Sequence, residues 1–437
     1  MINNAAVAAL DDRVLGPQHK GFPPAAWGRT VRDFLRTTPS LDQMSTPLLT
    51  VDRAAMESNV TVMADWAQSA GVLLAPHGKT TMAPQVWSRQ LNAGAWGITL
   101  ATPWQVQLAR SFGVDRIMLA NSIVDPSALA WLAAELDRDP SFDFFSWVDS
   151  VQTVELMDHL LGSRPSERPV NVLVELGAPH GRTGARTLES ARAVAAAVHH
   201  SARLTLAGVS GYEGALSHDR EPAGLDTVRG YLDQLGRLHR QLADDGRYGT
   251  AALITAGGSA YPDLVVEQLA HLADEQGEHG VATSVLLRSG AYVIHDDGFY
   301  ARISPLIPGR AERPLRSAMH GWARAVSRPE AELALLDAGK RDLPFDEGLP
   351  IPQRIAGAGT GTLDHSAEIT ALNDQHAFLR LPARGIGSAV ADVPVGTVVR
   401  LGLSHTCTAF DKWRLIPVLD DADAAQPRIV DLIHTFF

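Results

Sequence analysis

Three short segments hold side chains whose types and spacing could do chemistry. The first is Ala75-Pro76-His77-Gly78-Lys79-Thr80-Thr81. A lysine amine held out of water loses its proton more easily, and so can act first as a nucleophile and then as a base. Pro76 stiffens the approach to Lys79, and His77 sets an imidazole beside it. The second segment is Thr255-Ala256-Gly257-Gly258-Ser259-Ala260, in which glycines let backbone N–H groups converge on an anion. Taken alone, a Gly-Gly-Ser is usually a turn and nothing more. The third is Leu403-Ser404-His405-Thr406-Cys407-Thr408, which contains the only cysteine of the chain. If this stretch is extended, the period of two puts His405 and Cys407 on one side. Imidazole plus thiolate suits Zn²⁺, although two protein ligands are one fewer than a catalytic zinc site usually has.

These residues need a scaffold, and the hydrophobic pattern describes one. An apolar run at Leu48 to Val51 hands over through Asp52 to a helix carrying Met56, Val60, Met63 and Ala67 at helical spacing. Strand-like runs then recur near Val72 to Ala75, Gly97 to Ala101, Arg116 to Ala120, Phe142 to Val148, Val170 to Glu175, Leu204 to Ser210, Ala251 to Thr255 and Ser284 to Leu287. Amphipathic segments lie between most of them, such as Leu225, Val228, Leu232, Leu235, Leu238 and Leu242. The alternation predicts parallel strands with right-handed crossovers, an α/β protein whose eight strands close into a (β/α)8 TIM-type barrel; an open doubly wound sheet is the alternative. Lys79 then follows the first barrel strand, Arg182 (within 177–184) the fifth, Tyr212 the sixth, Gly257 to Ser259 the seventh and Tyr292 the eighth. All of them fall on the face where such barrels do their chemistry.

After about Ile303 the pattern changes to short alternating segments, such as Glu332 to Asp337, Ala377 to Leu381 and Thr397 to Leu403, which read as a second, mainly β domain. The expected organisation is an N-terminal arm over 1–44, a barrel over 45–302 and a β domain over 303–437. With 45% apolar and 20% charged residues the chain of 437 has the profile of a soluble globular protein. Its net charge of −11, with no basic run interleaved with aromatics, argues against nucleic acid and anionic membranes as partners. No apolar stretch reaches the roughly 18 residues of a membrane span, and no secretory signal is visible at the N-terminus, so a cytoplasmic location is expected. A single cysteine excludes an internal disulfide framework.

The segment Thr46-Pro47-Leu48-Leu49-Thr50-Val51-Asp52, followed by Pro76-His77-Gly78-Lys79-Thr80 and the His405-x-Cys407 pair, resembles the D-threonine aldolase and D-serine dehydratase family of pyridoxal-phosphate enzymes. That family is of fold type III and shares the barrel of alanine racemases. The resemblance implies that Lys79 bears pyridoxal phosphate with His77 beside it, and that Gly257, Gly258 and Ser259 hold its phosphate. Arg182 would face the pyridine nitrogen, which it cannot protonate or deprotonate at neutral pH; Tyr212 and Tyr292 would hydrogen-bond the cofactor. His405 and Cys407 would hold Zn²⁺, or another divalent metal such as Mn²⁺. The resembling enzymes are homodimers that build each site from one subunit's barrel and the other's β domain, so a homodimer is implied here too.

Two departures bear on the substrate. The family's more usual Arg-Pro-His-x-Lys-Thr-His reads Ala75 to Thr81 here, and Leu403-Ser404 stands where Pro-Ser is common. The activity implied is a metal-assisted lyase acting on D-3-hydroxy amino acids, with conversion of D-serine to pyruvate and ammonia as the leading case. A cysteine in the metal pair leans that way, because the resembling aldolases tend to carry an acidic residue there. Retro-aldol cleavage of D-threonine-like substrates is the alternative; racemisation, or a non-catalytic role holding the cofactor, come after it.

Overall fold

The computed structural model describes the chain except residues 164–165, 180, 276–279, 357–362, 364–366 and 383–392. After strand β1 (Leu48–Asp52) come β2 (Leu73–Leu74), β3 (Ile98–Leu100), β4 (Arg116–Leu119), β5 (Asp143–Val148), β6 (Val170–Leu176), β7 (Leu204–Gly211), β8 (Ala251–Ala256) and β9 (Ala282–Leu287). Strands β2 to β9 form one parallel sheet in the order β2-β9-β8-β7-β6-β5-β4-β3. These are the eight runs expected from the sequence. The two ends of the sheet meet: Trp96 N donates to Leu74 O at 2.7 Å and Thr99 N to Pro76 O at 2.9 Å, with a parallel bridge between His77 and Thr99. The barrel is therefore closed, and Ala75, Met118, Trp147, Leu173 and Leu286 cluster together among its strands. Outside it, the helix Pro222–Asp244 buries Val228, Leu232, Leu235, Leu238 and Leu242 completely, the stripe that its spacing predicts.

The β unit comprises β10 (Met319–Glu330), β11 (Leu333–Leu336), β12 (Ile351–Ile355), β13 (Glu368–Leu372), β14 (Ala377–Arg380), β15 (Val398–Gly402), β16 (Leu415–Leu419) and β17 (Ile429–His434). Its sheet also takes in β1. The run at Leu48, expected to open the barrel unit at residue 45, pairs instead with β10 antiparallel and with β16 parallel. All five of its residues are buried, so it carries no alternation to say which sheet it joins. Asp52 fastens the switch between units: one carboxylate oxygen accepts from Ala55 N at 2.7 Å, capping the helix Arg53–Ser69, and the other accepts from Ala422 N at 2.8 Å.

The N-terminal arm clasps both units. Asn3 N donates to Phe112 O at 2.8 Å on the barrel side, and Leu41 N donates to Pro427 O at 2.9 Å on the β side. The two units are also stitched together just past Lys79. Gln85, on the helix Pro84–Asn92, donates to Leu432 O at 2.9 Å and accepts from His434 N at 3.3 Å, and Phe436 N donates to Met82 O at 3.0 Å. This seam brings the far end of the chain to the lysine turn.

Candidate active site

A cavity of about 290 Å³ opens at the C-terminal ends of the barrel strands, and its walls include His77, Lys79, Tyr212, Gly257, Gly258, Ser259, Arg182 and Cys407. It is at the small end of the range of about 300–1,000 Å³ typical of ligand sites. A larger cavity of about 760 Å³ lies between the arm and the β sheet; among the described residues it shares none with this one, and no lysine, histidine or cysteine lines it.

Lys79 sits on a one-turn helix, Gly78–Thr80, that follows β2. Gly78 is required there because a Cβ would fall 2.8 Å from both Ile98 Cγ2 and Trp87 Nε1, and that indole donates to Gly78 O at 3.1 Å. Burial lowers the pKa of the Lys79 amine, and the Arg182 and Arg288 guanidiniums lower it further, against the Cys407 thiol, which raises it. His77 lines the cavity, and desolvation with the charges of Lys79 and Arg288 holds its pKa well below 6.5. It is a neutral imidazole at neutral pH.

Whether a polar cofactor fits can be tested on unpaired atoms. His77 Nδ1, Trp147 Nε1 and Glu175 Oε2 are buried without a hydrogen-bond partner among the described residues, and all three residues line the cavity. Buried polar groups left unpaired are costly, so three of them around one space, beside a lysine of lowered proton affinity, fit a guest rich in hydrogen-bonding atoms. Pyridoxal phosphate is such a guest.

In the loop that follows β8 the two glycine amides already have a partner. Gly257 adopts φ +93°, and a Cβ there would lie 2.7 Å from Leu287 Cδ2. The amides of Gly257 and Gly258, expected to face the anion, donate to the two oxygens of Glu213 at 2.9 and 2.8 Å. Ser259 remains: its Oγ accepts from Ala291 N at 3.1 Å, which leaves its own proton free to donate.

The arginines and tyrosines also sort themselves. Arg182 is exposed at the rim, its guanidinium 4.5 Å from the centre of the Tyr212 ring. Arg288, unremarked in the sequence, is the deeply buried one: it donates to Thr255 Oγ1 at 2.6 Å and to Gly211 O at 2.5 Å, and lies 4.8 Å over Trp147. Tyr212 is at the cavity, and burial raises its phenol pKa to about 12. Tyr292 is not among the lining residues; its hydroxyl accepts from Gln90 Nε2 at 3.1 Å on the far side of the wall. Its packing is that of a core tyrosine with a satisfied hydroxyl.

His405 and Cys407 do not lie on a strand, as the period-two reading required. Strand β15 ends at Gly402, and the pair occupies the loop beyond it. The two side chains nevertheless act on each other: although burial opposes it, Cys407 and Asp346 hold the His405 pKa up at about 9, while His405 lowers that of the thiol. Asp346 accepts from His405 Nδ1 at 2.7 Å and from Thr408 Oγ1 at 2.6 Å. A carboxylate on one ring nitrogen aims the other, the outer-shell arrangement typical of metal-binding histidines. Cys407 Sγ is 3.9 Å from Thr80 Oγ1, the neighbour of Lys79. Lys79 and the His405–Cys407 pair therefore come together within one chain, and this meeting needs no β domain from a second subunit. Among the described residues no group of three or more His, Cys, Asp or Glu converges, so an ion held here would keep positions open for other ligands.

Several site residues escaped sequence reading. Arg288 and Glu175 carried a usable signal, each being a charged residue at the end of a barrel strand. Asp346 carried none, since it lies 59 residues from its histidine. Tyr300, whose ring centroid is 6.1 Å from that of His405, also lines the cavity.

Comparison with known proteins agrees with this arrangement. Residues 51–261 match the model described as "Alanine racemase, N-terminal domain", and residues 318–419 match the one described as "Putative serine dehydratase domain". The chain is 26% identical over 374 residues to a D-threonine aldolase from an Arthrobacter species, covering 85% of this chain and 88% of that one. It is 24% identical over 399 residues to the D-threo-3-hydroxyaspartate dehydratase of Delftia sp. strain HT23, covering 83% and 91%. Among solved structures, a cysteine-to-alanine variant of D-threo-3-hydroxyaspartate dehydratase in the metal-free form superposes with a TM-score of 0.69 at 22% identity, covering 91% of this chain and 99% of that one. Barrel, β domain and the order in which the chain joins them are thus shared along nearly the whole length, and the chain is similar throughout to pyridoxal-phosphate lyases of the D-threonine aldolase and D-threo-3-hydroxyaspartate dehydratase kind.

Proposed function

We propose that this enzyme eliminates water from a D-3-hydroxy amino acid, with D-serine to pyruvate and ammonia as the leading case. The reading uses pyridoxal phosphate on Lys79 and a divalent metal on His405 and Cys407. The observation that carries it is the meeting of barrel lysine and β-domain thiol in one cavity, through Thr80. When bound, pyridoxal phosphate supplies an electron sink for the charge left at Cα. A metal on the His–Cys pair, Zn²⁺ by donor type, supplies Lewis acidity toward the substrate hydroxyl.

The chain's own groups do the rest. Lys79 Nζ, of lowered proton affinity, takes the α-proton as general base. Arg288, which has no lone pair to accept a proton, spans from β7 to β8 across the strand ends and is better placed than Arg182 to face the ring nitrogen and keep it unprotonated. Arg182 at the rim meets an entering carboxylate. Asp346 holds His405 in one orientation. The water lost from Cβ is matched by the water that frees ammonia from the enamine product, so the net reaction conserves composition.

The likeness to a D-threonine aldolase supports a second reading, cleavage of Cα–Cβ to glycine and an aldehyde. A panel of D-serine, D-threonine and D-threo-3-hydroxyaspartate, assayed for ammonia, 2-oxo acid, glycine and aldehyde, separates them. Ammonia with a 2-oxo acid is expected. Glycine with an aldehyde would replace the dehydratase reading by the aldolase one, and interconverted enantiomers would replace both by racemisation.

We also propose a homodimer, which the exposure of Trp104 (47%) and Val124 (45%) supports. Both lie just after barrel strands, β3 and β4, on the mouth face. Light scattering should give twice the chain mass of 46.9 kDa. A monomeric mass at concentrations where the enzyme is fully active would overturn the dimer while leaving the site of a single chain intact.

A further inference from the structure

Glu213 is wholly buried, on the one-turn helix Glu213–Ala215 that follows β7. It does not line the cavity, whereas Gly257, Gly258 and Ser259 do. Its carboxylate stands behind the loop and accepts from two successive amides, Gly257 N at 2.9 Å and Gly258 N at 2.8 Å. The β9 side holds the same loop by its other groups: Arg288 N donates to Gly257 O at 3.2 Å, Ser289 Oγ to Gly258 O at 2.7 Å, and Ala291 N to Ser259 Oγ at 3.1 Å. Two glycines would otherwise be among the freest residues in the chain. Here the amide side is held by one carboxylate and the carbonyl side by the next strand's loop, so the conformation of the segment depends on both.

We propose that Glu213 is the positioning residue of the anion loop, an internal carboxylate that fixes Gly257 and Gly258 from behind and so turns Ser259 toward the cavity to receive the cofactor's phosphate. The inference rests on the pyridoxal-phosphate reading above and adds to it the residue that sets phosphate affinity. It also reverses a simple expectation. If the two amides were themselves the anion site, Glu213 would be a competitor that the phosphate must displace, and its removal would tighten binding. If Glu213 is a brace, its removal loosens the loop and weakens binding.

The test titrates the apo-protein with pyridoxal phosphate and with pyridoxal, which offers the same aldehyde without the phosphate, following the absorbance of the bound cofactor. Wild-type protein is measured first: failure to take up pyridoxal phosphate would defeat the proposed function and not this inference. Glu213→Ala removes both acceptors. Glu213→Gln keeps the volume and one acceptor oxygen, and serves where the alanine variant does not fold. Removing charged acceptors from two amides is expected to weaken pyridoxal phosphate by at least about tenfold, with pyridoxal affected much less. The inference is overturned if both ligands weaken equally, which is the mark of a general packing role, or if pyridoxal phosphate binds as well as or better than before.

Discussion

Lys79→Ala is expected to abolish turnover, and to do so without unfolding the protein. The side chain lines the cavity and makes no hydrogen bond to the described residues, so the melting transition should move little. Its amine has two tasks, attachment of the cofactor and abstraction of the α-proton. Loss of a positioned general base alone costs roughly 10²–10⁴-fold in rate, and loss of the attachment point adds to that. In the wild-type protein, borohydride should fix the cofactor to the single peptide containing Lys79. Burial and two neighbouring arginines lower the amine's pKa, so the unprotonated form appears at lower pH than for a free lysine: the rate of cofactor attachment to the apo-protein should rise with pH and level off below 10.5. A label on exposed Lys340 instead, or fixation that persists in Lys79→Ala, would remove Lys79 from the mechanism.

Metal removal should produce the second large effect, and a different one. If His405 and Cys407 hold an ion that acts on the β-hydroxyl, chelation stops the lyase reaction while leaving the cofactor's absorbance in place, because Lys79 and the metal pair do separate work. A catalytic zinc ion lowers the pKa of bound water from about 15.7 to about 7, so losing such an ion costs orders of magnitude in rate and not a modest fraction. Cys407→Ser should lower metal affinity, a hydroxyl being a poorer zinc ligand than a thiolate. Asp346→Asn should do so by roughly 10–100-fold, the usual cost of losing an outer-shell partner, measured by competition with a chromophoric chelator. Native turnover by enzyme shown to be metal-free by elemental analysis would return His405 and Cys407 to a structural role.

The sequence by itself determined the elements and most of the reactive residues. Eight apolar runs with amphipathic helices between them specify a parallel barrel, because each run and each helix stripe is a local pattern. Lys79, Tyr212, Ser259 and Cys407 were legible for the same reason, each being marked by its neighbours or by its place at a strand end. What the tertiary structure decided is everything that depends on which distant segments meet. A five-residue apolar run cannot state its partners, and β1 went to the β sheet. His405 and Cys407 converge although their loop is not extended. Asp346 reaches His405 from 59 residues away, and Glu213 takes the two glycine amides from 44 and 45 residues away. These contacts are non-local, and side-chain spacing along the chain holds no record of them. They arise because a closed barrel gathers eight strand ends onto one face, and because the seam through Gln85 sets the β domain over that face.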